Sequence, residues 1–336
     1  MKNFWDKLRR PFFALAPMED ITDFVFRQIV AKYGKPDVLF TEFVSVDGLC
    51  SEGRKKLLPR LKFAKCEKPI VAQIWGSDPD KFFESAKLIS KMGFDGIDIN
   101  MGCPDKKVVK KGAGGGLIKT PELAAQIITA TRNGAGKLPI SVKTRIGFDK
   151  IITEKWISFL LSFKLPALTI HCRTVKEMSK VPAHWDEIKL AVKLKEKLAP
   201  ETLIIGNGDV ASYKQGVDLA KESGCDGIMI GRGIFNNLWI FNPKIEPVSI
   251  TPEMKIHALI DHIKLFEKTW SACNALRSNA GRGKNKNYDI LKKFYKAYIS
   301  GFPEAKQLRV KLMGTKSASQ ALALLSNPNL SISPYT

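Results

Sequence analysis

Six polar side chains stand at one recurring place in this sequence, at or just past the end of a short apolar run. They are Gln73 in VAQIWG, Asn100 in IDINMG, Lys143 in SVKTR, His171 in TIHCR, Asn207 in IIGNG and Arg232 in IGRG. Amide, ammonium, guanidinium and imidazole donors suit an electron-rich or anionic ring carrying a phosphate. Pro17 and Met18, after PFFALA, and Glu42, in FTEF, fall in the same phase. Cys103 lies in INMGCPDKKVVKKG, between Gly102 and Pro104 and beside a basic run, unlike the other five cysteines. An unperturbed thiol has a pKa of ~8.5, so at neutral pH it is mostly protonated and can donate a proton. No CxxC pair and no histidine at finger spacing accompanies these cysteines, so no metal site is expected. Singly, each residue has an ordinary explanation: Glu42 or Gln73 as a helix cap, His171 as a satisfied core histidine, Lys143 as a snorkelling lysine. Their common phase is what singles them out.

The elements that must position them repeat along the chain. Runs start at Pro11, Val38, Pro69, Gly96, Pro139, Ala167, Thr202 and Gly227, and helix-like segments such as DPDKFFESAKLISKMG and TPELAAQIITATRNG fill the gaps. Eight such units, apolar on both faces, predict an α/β fold, a (β/α)8 TIM barrel, with an open doubly wound sheet as the alternative. In a barrel the strand ends meet at one face, and the dispersed polar residues become a single cluster. IGNGDV and IGRG follow the last two strands, where barrels commonly hold a phosphate on backbone N–H groups. Gly206, Gly208, Gly231 and Gly233 are the candidates there, with Arg232 as a fixed positive fork. Gln73, Lys143 and His171 would reach a ring across the barrel mouth. FMN fits better than a dinucleotide, since no strand is followed by GxGxxG and a later acid, and the GAGGG from Gly112 reads as a mobile loop.

The predicted division is a barrel domain over 1–242, a proline-bearing linker over 243–252 and a helical domain over 253–336, with a basic loop, SNAGRGKNKN, at 278–287. The 336 residues carry 54 Lys+Arg against 33 Asp+Glu, a formal charge of +21, which points to a polyanionic partner. From Ile250 onward basic residues outnumber acidic ones 14 to 5, so the tail is the more basic part. No apolar run is long enough to span a membrane, and the run behind Arg9 and Arg10 meets Glu19 and Asp20 instead of a cleavage site. A cytoplasmic monomer without metal or membrane partner is the expectation.

The segments APMEDITDFVFRQIV, VAQIWGSDP, GIDINMGCPDKKVVKKGAGGG, ISVKTRIGF, LTIHCRT, IIGNGDV and GCDGIMIGRG together resemble the tRNA-dihydrouridine synthases. FYKAYISGFPEAKQLRVKLM is similar to that family's helical tRNA-binding domain. The resemblance implies reduction of the C5=C6 bond of uridines in tRNA, with hydride from reduced FMN to C6, NADPH or NADH as reductant, and Cys103 giving the proton to C5. By motif position it implies a flavin lined by Pro17, Met18 and Glu19, ring contacts from Gln73, Lys143 and His171, and a ribityl-phosphate end at Asn207, Gly208, Asp209, Gly231 and Arg232. Asn100 and Arg173 are the residues expected at the substrate base. After HCRT this chain reads VKEMSKVPAHWDEI, where related enzymes often carry Tyr and Gly, so it departs from the family pattern in the sixth loop. The competing readings are an FMN barrel acting on a small pyrimidine or enone, and a basic RNA-binding protein without catalysis.

Overall fold

Runs that are apolar on both faces cannot stand in water, and they are stable only when one face packs on helices and the other on the opposite strands. In the computed structural model, which describes residues 3–275 and 286–326, these runs form one parallel sheet. Its strands are β1 (Phe12–Leu15), β2 (Leu39–Phe40), β3 (Val44–Ser45), β4 (Ile70–Trp75), β5 (Gly96–Met101), β6 (Ile140–Arg145), β7 (Ala167–His171), β8 (Leu203–Asn207) and β9 (Gly227–Ile230). The order is β1-β9-β8-β7-β6-β5-β4-β2, with β3 also on β4, and a parallel bridge between Ala14 and Val38 joins the two ends. The predicted TIM barrel is therefore the fold observed.

The second predicted strand, VLFTEFV, is interrupted. Phe40 pairs with Val71 and Val44 with Ile74, so one strand has an extra residue over this interval. Such a bulge re-aims side chains. Here Thr41 accepts the Gln73 N–H at 3.1 Å, and Glu42, nearly fully buried, accepts the Asp20 N–H at 2.9 Å. Glu42 thus lies within a broken strand and not at a strand end as the sequence pattern implied.

The alternation of two decides what fills the barrel. Phe12, Ala14, Val38, Phe40, Val71, Ala167, Leu203, Ile205 and Met229 form one core with Trp5, which a 3-10 turn at Phe4–Lys7 inserts. Burying an aromatic side chain of this kind is worth about 1.5–3 kcal/mol. On the outer surface, the helix Pro79–Ile89 starts at Asp78, whose carboxylate accepts the Asp80 and Lys81 N–H groups, and buries Phe82, Ser85, Ala86 and Ile89 at helical spacing. The helix Pro121–Ala135 comes so close to it that a Cβ on Gly134 would meet the Phe83 carbonyl oxygen at 2.2 Å.

The chain separates into two compact units, residues 1–24 with 36–233, and residues 25–35 with 234–336. The division falls after Gly233 and not at 242, because Phe235 and Trp239, between those two points, pack within the second unit. Within the second unit, Phe26 stacks on Phe235 and Phe294, and Tyr33 meets Trp239 edge-on. This unit holds the helices Pro252–Ala275, Tyr295–Tyr298, Ala305–Gly314 and Ala318–Leu325, with a 3-10 turn at Tyr288–Phe294 where a helix was predicted. Buried His262 is hydrogen-bonded to the Tyr298 hydroxyl at 2.9 Å. Of the basic loop at 278–287, all but the last two residues lie outside the described residues.

Candidate active site

Gln73, Asn100, Lys143, His171 and Asn207 all sit at or near the C-terminal ends of their strands, and the parallel sheet brings those ends to one rim. Their immediate neighbours differ on the two sides of that rim.

On β4 and β5 the side chains satisfy one another. Gln73 Nε2 donates to Asp98 Oδ2 at 2.7 Å, and Ser141 Oγ donates to Asp98 Oδ1 at 2.6 Å. Asn100 Nδ2 donates to Gln73 Oε1 at 3.0 Å, while Asn100 Oδ1 accepts the backbone N–H groups of Gly102 at 3.1 Å and Cys103 at 2.9 Å. Burial pushes the Asp98 carboxyl up to about 6, against the donors that favour its anion. Cys103 itself is half-buried, and burial raises its thiol above the ordinary value. The glycine-rich segment behind it is not the mobile loop its composition suggested. Gly114–Lys119 form a buried 3-10 turn that holds Cys103 from below: Gly115 N–H donates to the Cys103 carbonyl at 3.0 Å, and a Cβ on Gly114 would come within 2.8 Å of Val108 and 3.1 Å of Cys103.

On β6, β7 and β8 cations collect. Lys143 Nζ donates to Asn207 Oδ1 at 3.0 Å, and Asn207 in turn donates to the Met229 carbonyl at 2.8 Å. Burial, and then the charge of Arg145, push the Lys143 amine down to about 8. Arg145 donates to the carbonyls of Gly102, Thr174 and Met178 at 2.8, 2.9 and 3.0 Å. His171 is pushed well below the usual histidine range by burial and by Arg145, Lys143, Arg173 and Arg232, so it is neutral at physiological pH. The guanidinium of Arg173 lies 3.3 Å from His171 Nε2; since it can only donate, Nε2 accepts and Nδ1 carries the ring proton.

Arg173, expected at a substrate base, is nearly fully buried; its guanidinium donates to the Val181 carbonyl at 2.6 Å and pairs with Asp209. The Asp209 carboxylate also accepts the Ala183 N–H at 3.1 Å and lies 3.5 Å from Arg232, which extends into solvent. The sixth loop, where the sequence departs from the family pattern, is held by these arginines and by Glu177, which accepts the Thr174 N–H at 2.7 Å and faces His184 at 3.0 Å.

Glycines near the last strands divide by cause. A Cβ on Gly206 would meet Trp185 at 2.5 Å, and one on Gly208, at φ +144°, would meet Ala183 at 2.8 Å, so packing already requires both. A Cβ on Gly231 would meet only Ala16 at 3.6 Å and Met18 at 3.9 Å, which is ordinary contact. Nothing in the protein demands glycine there, and the space suits a ligand tail. Pro17 and Met18 lie half-buried after β1, and exposed Glu19 pairs with Arg60.

Asp98, Ser141, Arg145 and Arg60 were not singled out in the sequence. The first three were recoverable, since a period of two puts Asp98 on the face of Asn100 and both Ser141 and Arg145 on the face of Lys143. Arg60 had no such signal; its partners Glu19, Asp20 and Glu42 come from two other segments.

No group of three or more His, Cys, Asp or Glu among the described residues is arranged to hold a metal ion, and no described helix is long and apolar enough to cross a membrane. The family model described as Dihydrouridine synthase (Dus) matches residues 14–331. The "Probable tRNA-dihydrouridine synthase" of Staphylococcus aureus (strain COL) is 45% identical over 326 residues, covering 96% of this chain and 95% of that protein. The "Probable tRNA-dihydrouridine synthase 2" of Bacillus subtilis (strain 168) is 42% identical over 328 residues, covering 97% and 96%. Among solved structures, morphinone reductase superposes with a TM-score of 0.49 at 9% identity, over 70% of this chain and 86% of that one.

Proposed function

The chain belongs to the dihydrouridine synthase family, and from that premise we propose how its own residues carry out the reduction of uridine in tRNA to 5,6-dihydrouridine. The residues at the rim fit an FMN. Lys143, Gln73 and His171 would hold its ring, Pro17 to Glu19 would line it, and Asn207, Gly208, Asp209, Gly231 and Arg232 would form its phosphate end. When bound and reduced by NADPH or NADH, the flavin would supply a hydride for C6 of the uracil ring.

The protein's part is to place charge and a proton. The observation that carries the reading is Lys143, an amine with its proton affinity depressed and with one hydrogen-bond acceptor, Asn207, among the described residues. Such a group gains from an anion beside it, and the reduced ring is one. Hydride addition at C6 builds negative charge at C5, and the Cys103 thiol, kept protonated by its burial, gives its proton there. Solvent then reprotonates the half-buried sulfur. Asn100 keeps one N–H beyond its bond to Gln73 and is the group for the uracil edge; Arg173 acts from behind, fixing His171 and Asp209. A uridine in folded RNA must leave its stack to enter, at a cost of a few kcal/mol. On the second unit, exposed Lys296, Lys306, Lys311 and Lys316 are the phosphate contacts that offset this cost.

Mapping dihydrouridine at single-nucleotide resolution, with and without the protein, tests the reading together with the absorbance spectrum of the purified chain. Loss of dihydrouridine at defined positions and a flavin spectrum are expected. A colourless protein that leaves every position unchanged overturns it.

A further inference from the structure

The hydrogen bonds between β5 and the Cys103 turn all point the same way. Backbone N–H groups can only donate, so those of Gly102 and Cys103, at 3.1 and 2.9 Å, turn the oxygen of Asn100 toward them. The Asn100 amide nitrogen must then face Gln73, whose own nitrogen must face Asp98. Asp98 is fully buried and, as a carboxylate, can only accept. The chain therefore has a donor-only start and an acceptor-only end, a flip would break three bonds at Asn100 and two at Gln73, and each link polarises the next. Through Gln73 and Asn100, Asp98 is linked to the Cys103 backbone by three successive hydrogen bonds.

We propose that Asp98 is a positioning residue that holds the Cys103 turn in place through Gln73 and Asn100. This deepens the reading above, since Cys103 is its proton donor. Two replacements with the same branching separate accepting a hydrogen bond from filling space. Asp98→Asn keeps an oxygen for Gln73 and turns its nitrogen toward the Ser141 hydroxyl, which can accept. Asp98→Leu fills the site with bulkier methyl groups and accepts nothing.

The experiment is alkylation of the purified protein with iodoacetamide, read by peptide mass at Cys103, with exposed Cys66 as the internal reference. In Asp98→Asn the Cys103 rate should stay within about twofold of the parent. In Asp98→Leu the freed turn should expose the thiol and raise its rate roughly tenfold, with Cys66 unchanged. Equal Cys103 rates in the two variants overturn the proposal, as does a rise at Cys66 of the same size, which would report general loosening. If Asp98→Leu does not fold, Asp98→Ala, smaller and equally unable to accept, takes its place under the same criteria. In turnover, the non-accepting variant should lose kcat while KM for tRNA stays within about threefold. A parent protein that forms no dihydrouridine would overturn the functional reading, whereas the alkylation result would still judge the chain of hydrogen bonds.

Discussion

Gln73, Asp98 and Asn100 use their hydrogen bonds on one another and on the Cys103 turn, whereas Lys143, Arg145, Arg173 and Arg232 gather positive charge around a neutral His171 with Asp209 as the carboxylate between two of them. The first side orients itself: protein partners fix both amides without a ligand, and Asn100 still keeps one N–H to offer. On the second side the charges do not cancel, and the depressed Lys143 amine and the neutral imidazole reflect their burial first and the neighbouring cations second. One side keeps a proton donor in place, and the other is built for an anion. A barrel can combine them because neighbouring strands contribute side chains to the same rim while each strand keeps its own surroundings.

If this division is right, the largest effect separates the thiol from the flavin. Cys103→Ala should lower dihydrouridine formation by ~10²–10⁴-fold, the usual loss for a missing general acid, while flavin content and its reduction by nicotinamide stay near the parent values. Loss of flavin in this variant would join the two sides and defeat the comparison.

Lys143→Met should act on the other side. Removing a charge-assisted hydrogen bond costs roughly 1.5–3 kcal/mol, which weakens FMN by about one to two orders of magnitude in a titration followed by flavin fluorescence. The pH dependence carries a sign. The free protein loses the Lys143 proton near pH 8, and an anion binds the charged form. Affinity should therefore fall as pH rises above about 8, by up to tenfold per unit, until the pKa of the complex is passed. A parent and a Lys143→Met variant with the same pH profile would show that another group sets the charge.

The smallest effect tests independence from both sides. Lys306→Ala with Lys311→Ala, both exposed on the helix Ala305–Gly314, should leave flavin and Cys103 alkylation unchanged. For every phosphate that these lysines neutralise, the slope of log affinity for tRNA against log salt should flatten by ~0.7–0.9. An unchanged slope would move the RNA-binding surface elsewhere. Lys292 is left out of the test because it is largely buried and paired with Asp289 at 2.7 Å.

The residues closing the apolar runs were legible because polar types break those runs, and His171 and Asn207 are the last residues of their strands while Lys143 comes two before the end of its own. The residues two places before or beyond them were just as visible in the sequence. Asp98 and Arg145 were passed over because a reading that stops at one polar residue per strand ignores the alternation that puts a second on the same face. The bulge at Thr41 and Glu42 was not legible, since VLFTEFV carries no mark of where its pairing with β4 slips. Gly114 and Gly115 misled for a physical reason. Glycine stands there because Val108, Cys103 and Val175 leave no room for a side chain and because Gly114 sits at φ +56°. The boundary after Gly233 was hidden for another: the prolines at 243 and 247 mark a change in local structure, while the aromatic packing that assigns Phe235 and Trp239 to the helices is long-range.

The pairing of Phe12 with Gly227 also has a consequence in time. The Phe12 ring lies over Gly227, within 2.6 Å of where a Cβ would be, so β1 finds its neighbour only when the last strand of the barrel has been made. At ~5–20 residues per second of synthesis, that wait is on the order of 10–40 s. Through it the first strand has one unpaired edge, the kind of surface that chaperones bind. Nascent chains stalled before Gly227 emerges should be cut by protease near Phe12, and chains stalled with Ile230 well outside the ribosome should resist; equal cleavage in both would mean that β1 is sheltered by other parts of the chain.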